Sequence, residues 1–331
     1  MRLCRPVLLL LLTCVPALAG AAELVVYSAQ KEPYIKPLLD RYTAETGTPI
    51  AFLNDQGPVL VERLAAEGAD SPADVLLTVD AGNLWQAADR GLLAVVESPA
   101  LEANVPAQWR DPGKRWFGIS QRARTIVYAS ERVQPEDLST YAALADARWK
   151  GRLCLRSSQS VYNQSLVASL ISRDGAESVA TMLEGWVANL AARPLADDTL
   201  TLKAIAGGEC DVGITNMYYL ARLVREDAKF PVRVYWANQG QGGVHVNLAG
   251  AGVVAASDDK AGAQALIEWL TSKPVQDELA RMNLEFPVNP AAQADPLLAG
   301  WGEFERDASD VTAMGRLQRD AVKAMDRAGW R

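Results

Sequence analysis

Residues 24–91 read LVVYSAQKEPYIKPLLDRYTAETGTPIAFLNDQGPVLVERLAAEGADSPADVLLTVDAGNLWQAADRG, and their periodicity decides the fold. Leu24–Ser28 is a short apolar run with the character of a buried strand. Tyr34, Ile35, Leu38, Leu39 and Tyr42 then recur at helical spacing, with Pro33 near the start and Gly47 as a stop. Ile50 and Phe52 alternate as a second strand, Val59–Glu67 reads as a helix, Asp74–Thr78 as a third strand, and Asn83–Arg90 as a helix ended by Gly91. This β-α-β-α-β order predicts an α/β fold with a largely parallel sheet covered by helices.

Working outward, the pattern changes after residue 115. Trp116–Ser120 and Arg122–Ser130 read as two extended segments with no long helix between them. Leu138–Ala145 reads as helical, Gly151–Leu155 as a strand, and Asn163–Ser172 and Ala176–Leu190 as helices. Asp211–Thr215 is a strand followed by a helix from Met217, and Val232–Trp236 is another strand. Asn247–Ala255 is an apolar run after the Gly-rich Gln239–Gly243. Helices are expected over Asp258–Leu270 and Pro274–Met282, with a helical pattern through Met314, Leu317 and Met325. The linker-like places lie near residues 120 and 243. A chain that leaves one lobe at the first and returns at the second makes two lobes joined by two crossovers. The expected division is 23–119 with 246–295 for the first lobe, and 120–245 with 296–331 for the second. Ligand sites favour such clefts.

Composition narrows the chemistry. The 331 residues are 49% hydrophobic and 22% charged, as in ordinary globular proteins, and too many for one small core. A net charge of −7 argues against a nucleic-acid partner, which needs surplus Lys and Arg. His245 is the sole histidine, which disfavours multi-histidine metal sites and any chemistry needing two histidines; its place between Val244 and Val246 reads as structural.

Residues 1–22 read as a cleaved signal peptide. Arg2 and Arg5 precede the apolar run Val7–Leu12, and Ala17-Leu18-Ala19 is a cleavage signal. The run is too short for the ~20 residues a membrane span needs. Removing it takes the net charge from −7 to −9 and sends the chain to an oxidising compartment. Of four cysteines, Cys154 and Cys210 remain. A disulfide between them is the simplest reading, closing a loop of about 56 residues for roughly 4 kcal/mol; two buried thiols are the alternative.

Four features carry candidate chemistry. Tyr218-Tyr219 and Tyr162 each lie between a strand and a helix, where open α/β sheets bind ligands. Arg122 and Arg124 share a face of an extended segment at the first crossover. Gln30-Lys31-Glu32 with Tyr34 follows the first strand. Each has a bland reading: core tyrosines, surface ion pairs, a solvated helix start. A phenol has a pKa near ~10, so clustered tyrosines ionise at neutral pH only around a strong cation. Hard Fe³⁺ suits anionic oxygen donors, whereas zinc recruits His or Cys. An arginine there could hold a small anion such as carbonate.

With these residues in place, the chain resembles the periplasmic ferric-ion-binding proteins, or bacterial transferrins, of ABC-type iron importers. The likeness runs from about Leu24 to Trp330 through LVVYSAQ, GISQRARTIVY, WKGRLCLRSSQSVYNQSL, GECDVGITNMYYLARL, HVNLAGAGV, EFPVN and AVKAMDRAGW. It implies a periplasmic-binding-protein fold with two crossover strands, Fe³⁺ bound in the cleft, and delivery by a monomer to an inner-membrane ABC permease. By the resemblance Tyr162, Tyr218 and Tyr219 match the iron ligands and Arg122 the anion-binding position, with Arg124 beside it. Where many members carry His or His-Tyr after the first strand, this chain has Gln30 and Lys31; where some carry Glu after the third, it has Val79-Asp80. Gln30 and Asp80 are expected at most as outer-shell groups. Binders of polyamines, phosphonates, sulfate or thiamine share this architecture and form the alternative. An enzyme is disfavoured, since no nucleophile-base pair stands out.

Overall fold

The computed structural model describes residues 23–307 and 311–331; the signal-peptide reading falls outside the described residues. The strands are β1 (Leu24–Ser28), β2 (Ile50–Asn54), β3 (Val75–Thr78), β4 (Phe117–Ala129), β5 (Leu153–Cys154), β6 (Val212–Asn216), β7 (Val232–Tyr235), β8 (Val246–Val253) and β9 (Phe286–Pro287). The helices are α1 (Lys36–Thr46), α2 (Gly57–Glu67), α3 (Ala81–Asp89), α4 (Pro99–Asn104), α5 (Val161–Asp174), α6 (Ala176–Ala188), α7 (Asp198–Gly207), α8 (Met217–Glu226), α9 (Lys260–Thr271), α10 (Lys273–Asn283), α11 (Pro296–Ala299), α12 (Ala313–Arg316) and α13 (Gln318–Arg327). Among the described residues no helix is long and apolar enough to cross a membrane.

β4 organises the molecule. All thirteen of its residues are buried, so it reads as one apolar-faced ribbon even where the sequence is polar. From Phe117 to Ala123 it pairs antiparallel with β8, shifting register between Gly118 and Ser120. From Arg124 onward it pairs instead with β6 and β7. The first lobe runs in the order β2-β1-β3-β8-β4, with β9 also on β4; the second has β5-β6-β4, with β7 on the same strand. Among the named strands of the described residues, pairing is parallel for β1 with β2 and β3 and for β5 with β6 and antiparallel elsewhere, so the largely parallel sheet of the sequence reading holds only at these edges. The expected break at Gln121 is absent because its side chain is buried and donates to Pro287 O at 2.8 Å, keeping the strand continuous.

Each lobe has its own core. The first is built on Leu24, Val26, Leu76, Leu84 and Ile267. The second gathers Ile126, Leu166, Leu183 and Trp186 on one side of its strands, and Leu202, Ile205 and Leu220 on another. The return crossover turns at Gly243, whose φ of +77° suits glycine and whose missing Cβ lets the Arg306 backbone approach. The C-terminal tail touches both lobes: α12 packs on α3 and α5, and α13 on α5 and α6.

Two local readings need correction. Within Leu138–Ala145 only Ala142–Ala145 coils, as a short 3₁₀ turn, and no α-helix forms. Tyr141 takes tertiary partners: its N–H donates to Asn238 Oδ1 at 2.9 Å, and its carbonyl accepts from Trp186 Nε1 at 2.8 Å beside the local bond from Leu144 N. Conversely, α7 is a helix the periodicity did not flag, although its ends are marked. Asp197 caps it through Leu200 N, and Gly208 ends it in the left-handed region. Cys154 and Cys210 form a disulfide that ties β5 to the chain entering β6.

Candidate metal centre

Two strand-to-helix junctions of the second lobe supply the tyrosines. β5 leads through residues 155–160 into α5, whose first turn carries Tyr162. β6 leads directly into α8, whose first turn carries Tyr218 and Tyr219. Unpaired N–H groups and the dipole at such helix starts favour negative charge. The Tyr218 and Tyr219 rings lie 4.4 Å apart between centroids. All three line a small cavity of about 90 Å³ together with Ala29, Gln30, Lys31 and Tyr34 from the first lobe. Val79, Arg122, Arg222 and Glu285 complete the wall. A larger cavity of about 320 Å³ beside Leu64 and Leu92 has no ionisable lining residue and offers no comparable chemistry.

Arg122 is 1% exposed, and its Nε and Nη2 have no hydrogen-bond partner. Its Nη1 lies 3.9 Å from Glu285 Oε1, and Glu285 in turn accepts from Ser120 Oγ. The guanidinium stands 5.9 Å from the Tyr162 ring centroid. Burial alone would weaken its charge, but Glu285, Tyr162, Tyr218 and Asp80 outweigh that and hold the proton more firmly than usual. A buried cation with open donors is costly unless an acceptor arrives.

Burial pushes the Tyr218 phenol well up, and the potential negative charges of Tyr162 and Tyr219 push it further. Tyr219 is raised by burial, then by Tyr162 and Asp198. Without a cation these hydroxyls therefore stay protonated at neutral pH, and only a strong positive charge among them would make phenolates. Asn216 Nδ2 donates to Tyr218 Oη at 3.2 Å, which fixes that ring against the end of β6.

Arg124 does not join this set. All five of its N–H donors are taken: Nε by Asn163 Oδ1 at 2.9 Å, Nη1 by Asp198 Oδ2 at 2.8 Å and Asn216 Oδ1 at 3.2 Å, and Nη2 by Asp198 Oδ1 at 3.3 Å and Ile214 O at 3.2 Å. Arg124, expected beside the anion, is held by the buried Asp198 at the start of α7 and does not line the cavity. Its work is indirect: Asn163 adjoins Tyr162, and Asn216 anchors Tyr218.

Gln30 lines the cavity. Asp80 does not: it is fully buried, caps α3 through Asn83 N, and accepts from Ser165 Oγ and from Asn247 Nδ2 at 2.7 Å. Desolvation raises its pKa, and these donors with Arg122 hold it down only in part. The sequence reading passed over Arg222 and Arg156. Arg222 packs 4.1 Å from the Tyr34 ring centroid and 4.8 Å from that of Tyr218. Arg156 lies 5.5 Å from the centroid of Tyr162. Arg222 was open to detection, since it follows Tyr218 by one helical turn.

A two-lobed α/β molecule with a polar cavity walled by both lobes is a solute-binding protein by architecture. The chain belongs to the bacterial extracellular solute-binding protein family, whose pattern matches residues 38–306. Within it, iron uptake protein A1 of Synechocystis sp. is 41% identical over 315 residues, covering 93% of this chain and 88% of the relative. Iron uptake protein A2 of the same organism is 42% identical over 279 residues, covering 82% and 81%. Among solved structures, the Trichodesmium protein IdiA (FutA), in complex with iron and citrate, has a TM-score of 0.87 at 41% identity, covering 93% of this chain and all of that one. The ferric binding protein from Campylobacter jejuni has a TM-score of 0.88 at 30% identity, with the same coverage.

Proposed function

We propose that this protein is a periplasmic carrier that captures Fe³⁺ through Tyr162, Tyr218 and Tyr219 and delivers it to an ABC permease of the inner membrane. The observation that carries this reading is the meeting of three tyrosines and the buried, under-bonded Arg122 at one small cavity. Three phenolates balance a trivalent cation, and hard oxygen donors match it. Arg122 holds a small anion, carbonate or one like it, that completes the coordination of the metal. A cavity of about 90 Å³ has room for roughly three waters, enough for an ion and a small anion. The family's members are solute-binding proteins, and the reading assigns no catalytic step. The likeness to iron uptake and ferric binding proteins supports the metal assigned.

Titration with Fe³⁺ in bicarbonate buffer tests it. The wild type is expected to develop a visible phenolate-to-iron band. Tyr218→Phe with Tyr219→Phe keeps both rings, so folding stability should change little while the band weakens and affinity collapses. Wild-type affinity in that double variant overturns the assignment and favours a small organic solute. Because each phenolate must lose a proton, affinity should fall as pH drops, with release before unfolding.

A further inference from the structure

The helix that presents Tyr218 and Tyr219 also reaches across the cleft. Arg222 and Arg225 stand three residues apart on one face of α8. Arg222 lies between rings of the two lobes, 4.1 Å from the centroid of Tyr34 and 4.8 Å from that of Tyr218. Its Nη2 also donates to Asn283 O at 3.4 Å. Arg225 Nη1 donates to Arg281 O at 3.1 Å, and its Nη2 to Asp295 Oδ2 at 2.8 Å.

Arg281 and Asn283 end α10, whose Leu279 belongs to the first-lobe core. The last carbonyls of a helix have no partner within it and carry its negative dipole end, so guanidinium groups suit them. Asn283 Nδ2 in turn donates to Tyr34 O at 3.0 Å, which closes a ring of contacts through Tyr34, Asn283 and Arg222. Beyond α10 the chain runs to Glu285, which faces Arg122.

From this geometry we infer that Arg222 and Arg225 are positioning residues that latch the first lobe onto the tyrosine-bearing helix, an inference that rests on the ferric reading above. The two arginines cap α10 from the opposite lobe, and Tyr34 seals the stack over the cavity. Binding at the start of α8 and closure of the cleft thereby share one rigid element. The latch governs how long bound metal stays, whereas the tyrosines govern whether it binds.

The test compares wild type with Arg222→Ala/Arg225→Ala, each with and without Fe³⁺. It follows the visible band, the radius of gyration by X-ray scattering, and release of iron to EDTA. Because Arg222 also walls the cavity, the band of the double variant is expected to shift. The latch is read from Arg225→Ala, which leaves the cavity wall intact and should keep the band while losing part of the iron-induced contraction, and from release on the order of tenfold faster in the double variant. Arg222→Lys, which keeps the charge but not the flat stacking group, should fall between the two. Equal contraction and equal release in wild type and double variant overturn the latch. A wild type with no band defeats the ferric reading instead; the latch is then judged on the metal-free proteins, where a larger radius in the variant supports it and equal radii overturn it. Urea unfolding of both proteins guards against a folding defect, and if the double variant fails to fold, Tyr34→Leu carries the same measurements.

Discussion

Arg122 and Arg124 stand two residues apart on one face of β4, each 1% exposed, and they differ in almost everything else. Arg124 lies where the strand has passed to the second lobe, and every donor is engaged by Asn163, Asp198, Asn216 or Ile214. Arg122 lies where the strand still pairs with β8, and two of its nitrogens reach no acceptor. The first arrangement is a finished ion pair that fixes a structure. The second keeps buried polar groups unsatisfied, which a fold tolerates at a place reserved for something else. Identical residues on identical backbone thus separate into framework and site by what surrounds them.

The largest expected effect breaks the pair apart by stability. Arg124→Met leaves the buried Asp198 carboxylate with only the Asn216 N–H and the more distant Arg156, 4.0 Å away, and should cost about 3–5 kcal/mol in urea unfolding. It should also loosen Tyr162 and Tyr218 through Asn163 and Asn216, so iron affinity falls as well. Equal stability losses for the variants at 122 and 124 would erase the distinction.

A middle-sized effect probes the sealed side by acid. His245 is buried beside Arg124, whose N–H donates to its carbonyl at 3.1 Å, and neither ring nitrogen has a partner. Burial pushes its pKa down to about 4; Asp307 opposes this, while Arg124 and Arg173 reinforce it. The unfolded chain therefore takes up the proton first, and stability should fall as pH drops from about 6.5 to about 4, by up to about 3 kcal/mol. His245→Phe should flatten that part of the pH dependence. An unchanged slope would show that the ring is already solvated when the protein is folded.

The smallest effect on stability belongs to Arg122→Met. Arg122 has two unbonded nitrogens and only a 3.9 Å contact with Glu285, which keeps its bond from Ser120, so the loss should be about 1 kcal/mol or less. Its signature lies elsewhere: iron binding should lose its dependence on added bicarbonate. A loss of several kcal/mol would place Arg122 in the framework with Arg124.

The contrast also marks what the sequence could disclose. Strand and helix periods in residues 24–91 are local, so the first lobe's opening elements were readable. Tyr162 and Tyr218-Tyr219 were suggestive because strand-to-helix junctions are visible in the chain itself. The two surviving cysteines pointed to their bridge through compartment and parity alone. The fates of Arg122 and Arg124 were not readable, because they depend on Asp198, 74 residues beyond Arg124, on a helix whose weak amphipathic pattern hid it. Glu285 is likewise brought in by the return crossover, and no local pattern assigns it to the cavity. Tyr141 shows the limit from the other side, since tertiary hydrogen bonds replaced the helix its neighbours suggested.

The sharing of β4 between lobes has a consequence for the order of assembly. The strands that pair in the second lobe lie between Arg124 and Tyr235, and its disulfide closes within that span. The first lobe begins earlier in the chain but needs β8: Leu76 of β3 meets Gly252, and Phe117 meets Ala251. During synthesis β3 therefore waits as an apolar edge until residues 246–253 emerge, the condition in which strands pair wrongly. Pulsed hydrogen exchange during refolding should show protection at Ile126 and Ile214 before Leu76 and Leu77. The sheet begun first is the one completed last, while the second lobe's core still awaits Ala321, Met325 and Trp330 of the C-terminal tail.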